Sequence, residues 1–131
     1  MDFVESLRAQ LEKKKSDAVR IQTAWNTAYS VGIETGEVWA KSRPNIEVLQ
    51  KAEEWWNKYG EEPSLTFKTS ADVILISVMS QEEYLKLASA YGILSMELIE
   101  QSAFAFGVMR GLVNAYNEAK PHLEEYLDSG E

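Results

Sequence analysis

The sequence contains no cysteine and only one histidine, His122. The absence of cysteine excludes disulfide frameworks, thiolate zinc sites and cysteine nucleophiles. One histidine is too few for a nucleophile–base–acid set, and the sequence has no glycine-rich phosphate-binding loop. We therefore expect a protein that is not an enzyme and that has no catalytic residues, no cofactor and no metal.

Long apolar runs are also missing. The longest, residues 73–79 and 103–109, are far shorter than the roughly 20 residues that cross a bilayer. The first 15 residues mix acids with bases and contain no apolar segment typical of a signal peptide. We expect no membrane span and no signal peptide, and a location in the cytoplasm or in a virion.

Charge is unevenly distributed along the 131 residues, whose formal net charge is −8. Residues 1–45 carry seven bases and six acids, whereas residues 46–131 carry six bases and fifteen acids. The length is typical of a single domain. The distribution indicates a mildly basic N-terminal segment joined to an acidic body.

The N-terminal segment has the pattern of a long amphipathic helix. Positions 4, 7, 11, 14, 18, 21, 25 and 28 are spaced by three or four residues and hold Val, Leu, Leu, Lys, Ala, Ile, Trp and Ala. This apolar stripe suits packing within the same protein, on a partner helix, on a membrane surface or on a nucleic-acid backbone. If nucleic acid is bound, the bases along the stripe would contact phosphates without reading sequence: Arg8, Lys13, Lys14, Lys15 and Arg20.

Pro44 predicts the end of this first region, because the residue before a proline is pushed out of helical geometry. Asn45 then suits the N-cap of a second helix that ends near Tyr59, with Gly60 as its stop. Residues 61–70 are expected to form a connector with a short extended piece at 65–68. Trp55 and Trp56 are adjacent on the second helix, so both cannot face one core, and we expect at least one to meet another element or another chain.

The C-terminal half also has helical patterns. A helix is predicted from about residue 70 to 79, and Ser80 with Glu83 forms a capping box that opens a helix toward Tyr91. A long helix over 95–120 follows, which Pro121 ends or kinks. The prediction is an all-α fold: a long N-terminal helix, a proline elbow and a bundle of about four to five helices. Residues 1–44 would be a helical arm and 45–131 a bundle, packed as one compact unit.

Two rows of small residues at four-residue spacing are the most informative pattern. Glycine inside a helix costs up to about 1 kcal/mol relative to alanine, so its repeated use on one ridge calls for a structural reason. We expect helix 24–40 to pack closely on helix 103–119, within one chain or between chains; in the alternative, Gly32 and Gly36 break the first helix. The rows are Ala24, Ala28, Gly32, Gly36 and Ala40, and Ala103, Gly107, Gly111, Ala115 and Ala119.

Residues 87–101, LASAYGILSMELIEQ, resemble a helix-turn-helix motif. Ala88 would allow close packing, Gly92 would supply the turn, Ile93 would fill the core and Ser95 would cap the second helix. That second helix begins with Glu97 and Glu100, whose carboxylates repel phosphate, and it lacks the Arg or Lys that anchors a reading helix.

The layout of the whole chain is similar to that of coat proteins of filamentous archaeal viruses. The shared features are a basic-edged N-terminal helical arm, a proline-marked elbow and an apolar C-terminal helical bundle. In that family the arms clamp the genome and the bundles tile the outside. The resemblance implies a structural subunit that partners a second copy or a related subunit and contacts double-stranded nucleic acid without sequence specificity.

Two hypotheses of different classes follow. The first is a non-enzymatic structural or assembly subunit, such as a virion or filament coat protein, that works through the first-helix stripe, the two small-residue rows and the Trp55–Trp56 pair. The second is a small acidic regulator or inhibitor, either a helix-turn-helix DNA binder or a nucleic-acid mimic. The surface around Glu97 and Glu100 distinguishes them.

Overall fold

A computed structural model describes residues 2–60 and 69–128. In this part of the chain all regular structure is helical, so the predicted all-α fold is confirmed. The six α-helices, with two 3-10 turns at Ile93–Ser95 and Lys120–His122, are α1 (Phe3–Ser42), α2 (Ile46–Tyr59), α3 (Ala71–Leu75), α4 (Gln81–Tyr91), α5 (Leu98–Ala119) and α6 (Glu124–Asp128).

Helix α1 is one uninterrupted helix of 40 residues. It begins after Asp2, whose carboxylate accepts a hydrogen bond from the backbone N–H of Glu5 at 2.8 Å. At 1.5 Å of rise per residue it is about 60 Å long. It passes through Gly32 and Gly36 without a break, so the alternative in which these glycines end the helix is wrong.

The proline elbow and α2 follow the prediction closely. The side-chain oxygen of Asn45 accepts hydrogen bonds from the backbone N–H groups of Glu47 at 3.1 Å and Val48 at 3.3 Å, which caps α2. The helix ends at Tyr59, and Gly60 follows as its C-cap. The extended piece predicted at 65–68 lies outside the described residues.

The helix predicted to reach residue 79 is shorter than expected. Helix α3 ends at Leu75, because the chain turns there, and the backbone N–H groups of Val78 and Met79 both donate to the carbonyl of Leu75. The capping box is present in a modified form: the Ser80 hydroxyl accepts from the N–H of Glu83 and donates to its carboxylate, both at 3.1 Å. Glu83 thus meets the hydroxyl of Ser80, whereas the prediction had it reach back to the backbone.

Helix α5 is the centre of the core. Every residue from 102 to 109 is buried, and α1, α2 and α3 pack around it. The Oγ of Ser102 accepts from the N–H of Thr69, and the Oε1 of Gln101 accepts from the N–H of Ala71, both at 3.3 Å, which ties the start of α3 to α5. The helix begins at Leu98, three residues later than predicted, and ends at Ala119, just before the turn that contains Pro121.

The hydrophobic core extends across the boundary at residue 44 that the sequence predicted between arm and bundle. Helix α1 contributes buried residues from Trp25 to Ala40, whereas none of its described residues before Trp25 is buried. The C-terminal half of α1 is therefore part of the bundle. We call residues 2–23, which project from it, the arm.

Candidate interaction surface on the N-terminal helix

The two small-residue rows meet each other within one chain. A methyl group built on Gly32 would lie 2.9 Å from the Cα of Gly107, and one built on Gly111 would lie 2.9 Å from the Cα of Gly36. Such a methyl group on Gly107 would also overlap the carbonyl oxygen of Tyr29. The backbones of α1 and α5 thus touch, with no space for a side chain between them.

The same contacts fix the direction of the two helices. Gly32 lies beside Phe104 and Gly107, and Gly36 lies beside Val108 and Gly111, so both helices run the same way. Of the other row members, Ala28, Ala40, Ala103 and Ala115 are buried, and Ala24 and Ala119 are half-buried at the two ends of the contact. The four glycines of the two rows therefore pack against each other within one chain.

Two polar pairs join α1 and α5 at the edge of the glycine contact, and they are one helical turn apart on both helices. The side-chain amide of Asn114 donates to the carboxylate of Glu37 at 3.3 Å. One turn further on, Lys41 pairs with Glu118 at 3.5 Å, with both side chains exposed.

The adjacent tryptophans of α2 both contact α5. The ring of Trp55 lies 5.3 Å from that of Phe106, edge to face, and the ring of Trp56 lies 6.4 Å from it. The Arg110 guanidinium lies over Trp56 at 5.3 Å. Our expectation that adjacent tryptophans cannot share one core is therefore wrong, because two half-buried indoles flank a single large ring. At least one was expected to meet another element, and both do.

The segment that resembles a helix-turn-helix forms a bend inside the bundle. Gly92 has φ of +64°, in the left-handed region, and Ile93 is fully buried. Ser95 lies in a 3-10 turn, and Glu97 occupies the N-cap position of α5, so the predicted cap at Ser95 is wrong. The helix that would read DNA is α5; Glu97 at its N-cap is exposed, Glu100 in its first turn is half-buried, and residues 102–109 are all buried.

The arm carries an apolar stripe that no described part of the chain covers. We call Val4, Leu7, Leu11, Lys14, Ala18 and Ile21 the arm stripe; all six are exposed. Leu11 has 58% of its surface exposed, whereas Trp25, two turns beyond Ala18 on the same face, has 7%. The boundary between the exposed and buried parts of one helical face is therefore sharp.

The heptad frame of the arm stripe continues into the core. The same three- and four-residue steps reach Trp25, Ala28, Gly32, Thr35 and Trp39, all of which are buried. Helix α5 covers this part of the face. Counting back in the register that joins Gly32 to Phe104, the first turn of α5 lies level with Trp25. The arm stripe is thus the uncovered extension of a packing face.

The five bases of the arm are all exposed, and they do not form one patch. Arg8 and Lys15 lie along one side of the arm stripe, Lys14 is within it, and Lys13 and Arg20 lie on the outer face of the helix, away from the stripe. Arg20 is 3.8 Å from the carboxylate of Asp17. The structure does not bring the five bases onto one face of the helix.

The described residues contain no group of three or more His, Asp or Glu side chains arranged to hold a metal ion. Within the same residues, no helix combines the length and the apolarity that a bilayer span requires. No protein-family model, curated protein or solved structure matches the chain.

Proposed function

We propose that this protein is a non-enzymatic structural subunit that assembles with other copies through its arm. The observation that carries the proposal is the arm stripe: a packing face that α5 covers from Trp25 onward and that stays uncovered over five turns before it. Contiguous exposed apolar surface of this kind marks an interaction site more often than scattered exposed side chains do.

The energetics of an isolated helix support this role. Most helical stability in proteins comes from packing of an apolar face, and no described part of the chain packs on the face of the arm. Full burial of a leucine, valine or isoleucine side chain is worth roughly 1.5–3 kcal/mol. A partner that covers Val4, Leu7, Leu11 and Ile21 would therefore stabilise both the contact and the arm itself.

A more specific form of the proposal is a coat protein of a filament or virion that touches nucleic acid with its arm. The arm has five of the 13 bases and four of the 21 acids, so its net charge is +1 and the rest of the chain has −9. Its five exposed bases could contact phosphates while the acidic body faces away, and such contacts position a protein without reading sequence.

Static light scattering of the protein tests both forms, over a concentration series, with and without double-stranded DNA, at low and moderate salt. We expect a mass above the 14.8 kDa of one chain that rises with concentration. In the coat form, DNA increases the mass and salt reverses the increase. A single-chain mass at every concentration, with or without DNA, would contradict the proposal. A mass that rises with concentration but does not change when DNA is added would contradict only the coat form.

A matched pair of charge variants locates any DNA effect. Replacing Lys13, Lys14 and Lys15 by Gln removes three bases from the arm, and replacing Lys51, Lys58 and Lys86 by Gln removes three exposed bases from the body. If the arm holds the phosphates, only the first variant loses DNA-dependent assembly. Equal losses in both would show that the attraction is not localised on the arm.

A further inference from the structure

We infer that the arm stripe pairs with the arm stripe of a second copy in antiparallel orientation, with a two-fold axis between Glu12 and Lys13. This inference rests on the proposed assembly function and names its partner and geometry. It follows from the residues in each layer of the stripe, from the charges of the two halves of the arm and from the length that α5 leaves uncovered.

The layers of the stripe are complementary only in the antiparallel arrangement. About the proposed axis, Val4 faces Ile21 of the second copy, Leu7 faces Ala18, and Leu11 faces Lys14. Every small or charged position then meets a large apolar side chain, and each lysine stem can lie along a leucine. A parallel pair would instead place Lys14 against Lys14 and Ala18 against Ala18, which combines like-charge repulsion with a gap.

The two halves of the arm carry opposite net charges. Residues 2–12 contain three acids and one base, for a net charge of −2, whereas residues 13–23 contain four bases and one acid, for a net charge of +3. Antiparallel pairing lays the acidic half of each arm along the basic half of its partner, and parallel pairing opposes like halves. The antiparallel helix dipoles are also favourable.

The part of the α1 face that α5 leaves uncovered is about as long as the span that an antiparallel partner arm would cover. Helix α1 begins at Phe3, which lies opposite Gln22 of the second copy about the proposed axis. The partner helix therefore covers the stripe almost to Trp25, where α5 of the same chain takes over the face. The two bundles lie at opposite ends of the paired arms, about 30 Å of helix apart.

Thiol cross-linking tests the pairing directly, because the natural sequence contains no cysteine. Variants Leu7→Cys and Ala18→Cys are mixed in equal amounts, oxidised and examined by intact-mass spectrometry. We expect the ratio of the mixed disulfide to either homodimer to be several-fold higher than random pairing of the two variants would give. Ala9→Cys and Ser16→Cys are the matched control: they are related by the same axis but lie on the opposite side of the helix, and we expect little cross-linking between them.

The outcomes separate this inference from the proposed function. An excess of homodimers would establish parallel arms and overturn the pairing. If light scattering shows assembly but Leu7→Cys and Ala18→Cys give no more product than the control pair, the arm docks elsewhere, and the inference fails while the proposed function stands. A single-chain mass throughout overturns both.

Charge reversal gives a second test that does not alter the seam. Glu5→Lys with Glu12→Lys makes both halves of the arm positive, and Lys13→Glu with Lys15→Glu makes both halves negative. We expect each variant alone to associate about tenfold more weakly at low salt, and their mixture to recover association. Mixing that fails to restore association would contradict the antiparallel arrangement.

Discussion

Gly32 of α1 and Gly107 of α5 face each other so closely that a methyl group on either would lie within 2.9 Å of the other's Cα. This contact sets two parallel helices at a separation that only glycine allows. It also fixes the register in which α5 covers α1 from Trp25 onward and leaves the arm bare. The small residues therefore determine, indirectly, which part of α1 is available to a partner.

Gly107→Ala should destabilise the fold by about 3 kcal/mol, at the upper end for overpacking, because the added methyl group would meet backbone on both sides. Urea unfolding followed by circular dichroism measures the loss. Asn117→Ala, on the exposed side of the same helix, is the control and should change stability little. Equal stability of Gly107→Ala and the wild type would show that α1 and α5 are further apart than described.

Gly92→Ala should cost about 1 kcal/mol for a different reason. A methyl group at this position meets nothing within 4 Å, so the cost comes only from φ of +64°. Gly92→Asn should cost less, because asparagine tolerates the left-handed region better. Thermal unfolding of both variants checks this order. If both were as stable as the wild type, the bend between α4 and the following turn would not need the left-handed conformation.

Phe106→Ala should destabilise the protein by about 3–5 kcal/mol and change the environment of both α2 tryptophans. Phe106 is 2% exposed and is the ring on which Trp55 and Trp56 pack. We expect loss of near-ultraviolet circular dichroism along with stability. A large loss of association with no loss of stability would instead show that the tryptophan pair belongs to an interface between chains.

Stability should decline at alkaline pH as Tyr29 ionises. Burial raises the pKa of Tyr29 above its ordinary value of 10.0, and the nearby Arg110 offsets part of this effect. The stabilisation from neutral Tyr29 is full below pH 10, where the unfolded chain also holds its proton, and is lost as pH rises toward the folded-state pKa. Tyr29→Phe should reduce the slope of unfolding free energy against pH between 9 and 11. An unchanged slope would contradict the contribution of Tyr29.

Much of the helical organisation is predictable from local signals. Asn45 and Ser80 cap their helices as their short polar side chains suggest. The row that includes Gly107 predicts close packing, because repeated glycine on one ridge is costly without a partner backbone. These signals depend on residues near each other in sequence, so they can be interpreted without knowledge of the three-dimensional structure.

The sequence does not show which part of the apolar face of α1 is covered by α5. Leu11 and Trp25 occupy equivalent positions of one heptad frame, and only the packed register of α5 shows that the first is exposed and the second buried. The role of Phe106 as the shared contact of two adjacent tryptophans likewise depends on the placement of α2 against α5. Long-range contacts of this kind have no local sequence signal.

Assembly through the arm stripe is best tested by the mass of Leu7→Glu beside that of Ala9→Glu. Both add one carboxylate to the arm at exposed positions, but only Leu7 lies in the arm stripe. By sedimentation at equal concentrations, Leu7→Glu should remain a single chain while Ala9→Glu assembles like the wild type, and both should unfold at similar urea concentrations. If Leu7→Glu assembles as well as Ala9→Glu does, the arm stripe is not the assembly surface.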